Sequence, residues 1–261
     1  MEESDSNPKW LEFIQSRIER AKQWRDEMPD HEELAKSYRY VRILGKSFRA
    51  ISIHHKNPCG RLIRKDNGKE VVGSPGIKSA IQSAYDACEH GHENDYRPSS
   101  TKTEHKIQAF LIHHALVNGQ RLLGILKGFD DVLDELIFVT DELSTGKLRA
   151  DIIALGGKNG RYFPVFIELK VKRELKRLME QLEGAQALMN IAGEHFTKML
   201  SAASGIPHEK ISFDDYRLMI VWPASISGQE DKRVVKARSE EGTLFAEFCK
   251  QGEEEYAFTR N

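Results

Sequence analysis

Apolar residues in the second half of the chain alternate between short strand-like runs and one long helical stripe. Residues 150–155 and 163–169 are rich in Ile, Val and Phe, which favour β-strands. The glycine-rich stretch 156–160 lies between them and predicts a hairpin-like turn. After residue 170 the spacing of an amphipathic helix follows, with an apolar stripe formed by Leu175, Leu178, Leu182, Ala185, Met189 and Ala192. The pattern therefore predicts strand, turn, strand and helix.

Apolar runs on both sides of this unit extend the predicted sheet. Residues 136–140 and 216–222 predict two further buried strands. A helix is predicted to begin near Thr101, and one of its faces carries Glu104, Ile107, Leu111 and Ala115. Residues 244–248 predict a terminal helix. We expect an α/β fold with a central mixed sheet of about four strands flanked by helices, in the order helix, three strands, helix, strand.

The first hundred residues carry two different patterns. Residues 1–37 show apolar residues at helical spacing, which predicts an amino-terminal helical arm. The arm either packs on the core or on a second subunit, or it exposes Trp10 and Trp24 as a surface for a partner. Residues 38–100 change to a period of two with many Arg and Lys residues, and Asp66-Asn67-Gly68 predicts a hairpin turn. This basic β-rich extension, which also contains a predicted helix, either holds a phosphate backbone or presents a solvated sheet face.

Charged residues interrupt the two central strands, where a buried sheet should be apolar. Asp151 lies at the start of one strand, and Glu168 and Lys170 end the other, where their spacing of two places them on one face. Carboxylates are rarely buried against an apolar sheet unless they are paired or bound to metal. Two facing carboxylates and the main-chain carbonyl of Leu169 would form an all-oxygen site suited to Mg²⁺ or Mn²⁺. Lys170 beside that site could orient or deprotonate a water, or neutralise a phosphate.

Asp151 followed by Glu168-Leu169-Lys170 resembles the Asp…Glu-X-Lys signature of the PD-(D/E)XK superfamily, the restriction-endonuclease-like nucleases. In that family the two acids bind one or two divalent metal ions, the lysine assists the attacking water, and the reaction is hydrolysis of a phosphodiester bond. The resemblance implies a restriction-endonuclease-like core over residues 101–261, preceded by the helical and β extension.

The resemblance itself covers residues 101–223 and departs from the family pattern at Ala150, where the family often has a proline. It implies supporting roles for two further residues. Gln181, on the helix after the lysine, would hold a substrate phosphate or a catalytic water, whereas the alternative is an ordinary polar helix flank. Glu104, on the first helix, would be a further catalytic or metal-binding acid, whereas the alternative is a capping box with Thr101.

Acidic residues near the first predicted core strand form a separate group. They are Asp134, Glu135, Asp141 and Glu142. We interpret them as solvated turn acids, and we keep Glu142 as a reserve metal ligand in case Asp151 points away from the site.

Charge and cysteine content limit how the chain could contact nucleic acid and which cellular compartment we expect. The 261 residues include 39 Lys and Arg and 40 Asp and Glu, a net charge of −1, so any contact with nucleic acid has to come from a local basic patch. The three cysteines, Cys59, Cys88 and Cys249, are widely spaced and odd in number, which favours a reducing compartment. The sequence shows no signal peptide and no transmembrane run, so we expect a cytoplasmic protein with no membrane partner.

The resemblance implies a Mg²⁺- or Mn²⁺-dependent nuclease whose partner is nucleic acid, with DNA favoured over RNA. A homodimer is a further expectation, by analogy with enzymes that cut both strands. Two alternatives stay open on the same fold, a catalytically inactive nucleic-acid-binding module and a protein-interaction module.

Overall fold

The computed structural model of the chain contains a large mixed sheet and a separate two-stranded hairpin. It describes residues 14–15, 18–19, 21–22, 25–26, 63–66, 69–72, 103–145, 148–173, 176–225, 232–240, 242–252 and 255–260. The hairpin consists of β1 (Ile63–Asp66) and β2 (Lys69–Val72), on either side of the turn that Asp66-Asn67-Gly68 predicts.

Seven strands form the large sheet. They are β3 (Leu126–Lys127), β4 (Glu135–Thr145), β5 (Leu148–Lys158), β6 (Arg161–Leu169), β7 (Arg217–Pro223), β8 (Leu244–Lys250) and β9 (Tyr256–Arg260). The described helices with a complete range are α1 (Thr103–Val117), α2 (Lys176–Ser204), α3 (Lys232–Glu240) and a short 3-10 helix (His208–Lys210).

The strands lie side by side in the order β3, β9, β8, β7, β6, β5, β4. β4, β5 and β6 form an antiparallel meander, whereas β6, β7 and β8 run parallel to one another. A parallel neighbour requires a crossover connection, and α2 and α3 lie in the two crossovers. The α/β class and the mixed sheet are confirmed. The sheet has seven strands where about four were expected, because β3, β8 and β9 were not predicted as strands. With the two-residue β3 set aside, the order helix, three strands, helix, strand is also as expected.

Aromatic contacts place α1 and α2 on opposite faces of the sheet. Phe166 of β6 stacks on Phe196 of α2, with ring centroids 5.7 Å apart. On the other face, Phe110 of α1 packs on Tyr256 and Phe258 of β9, at 5.6 and 6.2 Å. Both contacts bury large apolar surfaces between a helix and the sheet, so the core lies on both faces of the strands.

The apolar faces predicted for the two long helices are buried wherever their side chains are described. The side chains of Leu175, Leu178 and Leu182, the first half of the α2 stripe, lie outside the described part of the chain. In α1 the residues Ile107, Leu111 and Ala115 are completely buried. In α2 the buried positions include Ala185, Met189 and Ala192, and Ala192 also interrupts the regular helix with φ −136° and ψ 16°. None of the helices in the described ranges is long and apolar enough to cross a membrane.

The amino-terminal segment packs against the second half of α2. Its described residues between 14 and 26 are helical, and Ile14 and Ala21 belong to the buried core. Gln15 is hydrogen-bonded to the ring of His195 at 2.8 Å. These contacts favour packing of the arm on this chain's own core. Trp10 and Trp24, the residues proposed to form a partner surface, lie outside the described residues.

The hairpin between β5 and β6 turns at Asn159 and Gly160. Both have positive φ, 52° and 76°, as a two-residue type I′ turn requires. Lys158 and Arg161 form the last pair of the ladder. The predicted turn region, 156–160, was therefore too wide, because its first two glycines continue the strand.

Residues 244–248 form a strand, so the prediction of a terminal helix there is wrong. β8 pairs parallel with β7 and antiparallel with β9. A five-residue apolar run cannot be assigned to helix or strand by its period alone. Its neighbours decide, because β8 supplies main-chain hydrogen-bond partners to two other strands.

The acidic residues around β4 differ from one another. Asp134 is exposed, and a hydrogen bond from Lys158, with a second from the Asn159 amide, holds the pKa of its carboxyl group below its usual range. It is a solvated turn acid, as expected. Asp141 instead lies within β4 opposite Ile152 and is only 1 % exposed. The turn interpretation is wrong for Asp141 and Glu142, because β4 extends beyond residue 140 to Thr145. It is also wrong for Glu135, the first residue of β4.

Gly156 tests the packing inside the β5–β6 hairpin. An added Cβ would lie 2.8 Å from Phe163 Cε2, 2.9 Å from Val165 Cγ2 and 3.0 Å from Leu133 Cδ2. We expect Gly156→Ala to lower the free energy of unfolding by about 1–3 kcal/mol, because these buried groups would have to move. Urea denaturation measures the change. Gly124→Ala is the control, since its Cβ would meet nothing nearer than His114 Nε2 at 3.7 Å. Equal losses in the two variants would contradict the prediction.

Candidate functional site

Asp151 and Glu168 stand at facing positions of adjacent strands. The ladder between β5 and β6 includes the pair Ile152 and Ile167, and these two acids occupy the next position on each strand. Facing residues of an antiparallel pair project from the same side of the sheet. The structure therefore brings together the two carboxylates that the sequence singled out.

The Asp151 carboxylate binds the main chain of the neighbouring strand. Its Oδ2 accepts a hydrogen bond from the Leu169 amide at 2.7 Å. The next amide, that of Lys170, points the other way and donates to the Val221 carbonyl of β7 at 2.9 Å. Asp151 thus supplies an acceptor where the ladder between β5 and β6 has ended. This bond holds its carboxylate against the peptide that joins Glu168 to Leu169.

Glu168 and Lys170 form an ion pair at the end of β6. The Lys170 ammonium donates to Glu168 Oε1. The side chain of Glu168 is 7 % exposed and that of Lys170 is 19 % exposed. A buried carboxylate needs a charged or hydrogen-bonding partner to offset its lost hydration, and the lysine provides that charge. The pair lies on the face that α2 covers, because Phe166, two residues earlier on β6, stacks on that helix.

Gln108 of α1 is part of the site and was not singled out from the sequence. It is 1 % exposed, and its side-chain amide donates to the main-chain carbonyl of Asp151 at 2.7 Å. The available signal was a polar residue next to the apolar positions Ile107 and Leu111. That signal predicts burial with a hydrogen bond but does not identify the partner.

The other candidates lie on the two helices and on β4. Glu104 is half-buried in the first turn of α1, one helical turn before Gln108 on the same face of that helix. Gln181 lies near the beginning of α2, and Glu142 lies within β4. The side chains of Gln181 and Glu142 are outside the described part of the structure, as is Thr101, the proposed cap.

The donor atoms at the site are suited to a hard divalent cation. Two carboxylates, from Asp151 and Glu168, and the main-chain carbonyl of Leu169 offer only oxygen, which Mg²⁺ and Mn²⁺ prefer. Among the residues with described side chains, no three His, Cys, Asp or Glu form a group that could hold a metal ion. The set nevertheless fits Mg²⁺, which is usually bound by one or two carboxylates and keeps several waters.

The chain matches no protein-family model, no curated protein sequence and no solved structure.

Replacing Gln108 tests its bond to Asp151. Gln108→Met keeps the volume but removes the donor, so the carbonyl of half-buried Asp151 loses a partner. We expect the free energy of unfolding to fall by about 1–3 kcal/mol, measured by urea denaturation. The control is Leu111→Met, a swap of similar volume at a completely buried position one turn away. If the two variants are equally stable, the hydrogen bond does not contribute as stated.

Proposed function

We propose that the chain is a Mg²⁺- or Mn²⁺-dependent nuclease that hydrolyses phosphodiester bonds in nucleic acid. The observation that carries the proposal is the juxtaposition of Asp151 and Glu168 on adjacent strands, with Lys170 paired to Glu168. Structural ion pairs also occur at the ends of strands. Here, however, Lys170 is paired with Glu168 at the end of β6, and Asp151 faces Glu168 from β5. The three residues follow one another in the order of the PD-(D/E)XK signature.

The fold gives the resemblance independent support. The chain passes through α1, β4, β5, β6, α2 and β7 in the order that the hydrophobic pattern predicts. The two acids lie on neighbouring strands, and the long helix follows the lysine after a short connection. A restriction-endonuclease-like core over residues 101–261 is the architecture that we propose on these grounds.

Each residue of the proposed site has a distinct role. Asp151, Glu168 and the Leu169 carbonyl would hold the cation, which supplies a Lewis acid that polarises the scissile phosphate. Lys170 Nζ, beside Glu168, would orient the attacking water or neutralise a phosphate oxygen. Gln108 would keep Asp151 in place through its main chain.

The remaining assignments concern residues that flank this centre. Glu104 would act as a further acid from the first turn of α1. Because α1 lies on the face of the sheet opposite Glu168, the Glu104 carboxylate would have to reach the cation past the ends of the strands. Gln181 would hold a substrate phosphate or a water from the beginning of α2.

Nucleic acid is the proposed partner, with DNA as the first substrate to test. The net charge of −1 gives little overall attraction to a polyanion, so a local cationic surface has to supply it. The basic residues of 38–100 are candidates for that surface. A homodimer would allow two sites to act on two strands.

Metal binding and cleavage test the proposal with variants that preserve shape. Glu168→Gln removes the charge of the buried carboxylate, and Asp151→Asn keeps an oxygen that can accept from the Leu169 amide. We expect calorimetry to detect Mn²⁺ binding by the parent and little by either variant. We also expect cleavage of circular DNA, linear DNA or RNA to fall at least about 100-fold.

The matched control is Glu194→Gln, which removes a carboxylate paired with Lys198 on the exposed side of α2. It should bind metal and cut like the parent. A folded parent that binds nucleic acid but neither binds Mn²⁺ nor cuts would overturn the nuclease proposal in favour of the inactive nucleic-acid-binding module.

A further inference from the structure

Arg173 is anchored by three groups at the ends of the neighbouring strands. Its Nε donates to the Pro223 carbonyl at 3.0 Å, and its guanidinium pairs with Glu247 of β8. The same guanidinium lies over the ring of Trp222, 4.6 Å from the ring centroid. Trp222, Pro223 and Glu247 lie 49, 50 and 74 residues after Arg173 in sequence. Arg173 therefore ties the segment after β6 to β7 and β8.

The anchor lies on the same face of the sheet as the proposed site. Glu168 pairs with Ile220 across β6 and β7, and Trp222 follows two residues later on the same side. Trp222 in turn pairs with Glu247 across β7 and β8. The anchor therefore lies beside Glu168 on this face of the sheet. Trp222 is on the adjacent strand β7, Glu247 is on the next strand β8, and Arg173 contacts both.

The short connection between Lys170 and Arg173 is attached at both ends. At its start, the Lys170 amide donates to Val221 of β7. At its end, Arg173 makes its three contacts. Val171 and Lys172 between them are exposed. Among the described contacts, the bond from the Lys170 amide to Val221 would still join this connection to β7 if the anchor at Arg173 were lost. Lys170 would then gain conformational freedom.

We propose that Arg173 and Glu247 are positioning residues that hold Lys170 against Glu168. The catalytic consequence rests on the proposed function, whereas the restraint on Lys170 does not. Arginine suits this role because its planar group can bond a carbonyl and a carboxylate while it stacks on an aromatic ring. The Arg173–Glu247 pair is only partly exposed, with side-chain exposures of 26 % and 15 %, so solvent screens it less than a surface pair.

A second arginine in the molecule provides a matched control. Arg260 of β9 donates to the Gly128 carbonyl at 3.3 Å, pairs with Asp131 and lies over the ring of Phe129 at 5.6 Å. Its contacts are therefore of the same three kinds. It lies on β9, which three strands, β8, β7 and β6, separate from β5.

The test is the reactivity of the Lys170 amine in the full chain. Reductive methylation followed by peptide mass spectrometry gives the rate of modification at each lysine, with exposed Lys198 as the internal reference. We expect Glu247→Gln to raise the rate at Lys170 at least about threefold, because local opening becomes more frequent. Asp131→Asn should leave that rate unchanged. Thermal unfolding confirms that each variant is folded.

A second variant keeps the test possible if Glu247→Gln does not fold. Arg173→Lys keeps the charge but loses the forked geometry, and it should raise the rate at Lys170 in the same direction. An unchanged rate at Lys170 in folded Glu247→Gln or Arg173→Lys overturns the proposal. An equal increase in Asp131→Asn also overturns it, because the effect would then be general.

The effect on catalysis is measured in a separate experiment. If the parent cuts nucleic acid, Glu247→Gln should lower kcat while KM stays close to that of the parent, since Lys170 acts in the chemical step. Failure of the nuclease proposal would appear as a parent without metal binding or cleavage. The labelling result is independent of that failure.

Discussion

The register between β5 and β6 is the constraint on which the site depends. Side chains alternate along a strand, so a slip of one residue would move Asp151 to the face opposite Glu168. The two-residue turn at Asn159 and Gly160 fixes that register, because positive φ at both positions matches the twist of the strands. Close contacts at Gly156 reinforce it. The backbone geometry of the turn at one end of the hairpin thus sets the positions of Asp151 and Glu168 at the other end.

Much of the central unit could be predicted because its signals are local. The strands around Asp151 and Glu168 are short apolar runs next to a strong turn, and the apolar stripe of α2 follows directly. The strand β8 could not be predicted in the same way. Its partners are β7 and β9, and parallel pairing with β7 leaves no short-range pattern in the sequence.

The polar residues around the site also differ in whether a local sequence signal identifies them. Asp151, Glu168 and Lys170 were identifiable because charges stand out within apolar runs. Gln108 and Arg173 were not identifiable, because their roles depend on distant main-chain carbonyls. Gln108 bonds the carbonyl of Asp151, 43 residues away, and Arg173 bonds that of Pro223, 50 residues away. A buried amide or a surface arginine has many uses, and only the folded neighbours select one.

The contact between the amino-terminal helix and α2 has a consequence for the order of folding. Gln15 and His195 are 180 residues apart in sequence, yet they are hydrogen-bonded. During synthesis the segment around Gln15 therefore leaves the ribosome long before α2, which it packs against, has been made. Its apolar residues Ile14 and Ala21, which are buried in the folded chain, cannot be buried against α2 until that helix has formed. Burial of the segment around Gln15 is therefore a late event in folding, because it follows the formation of α2.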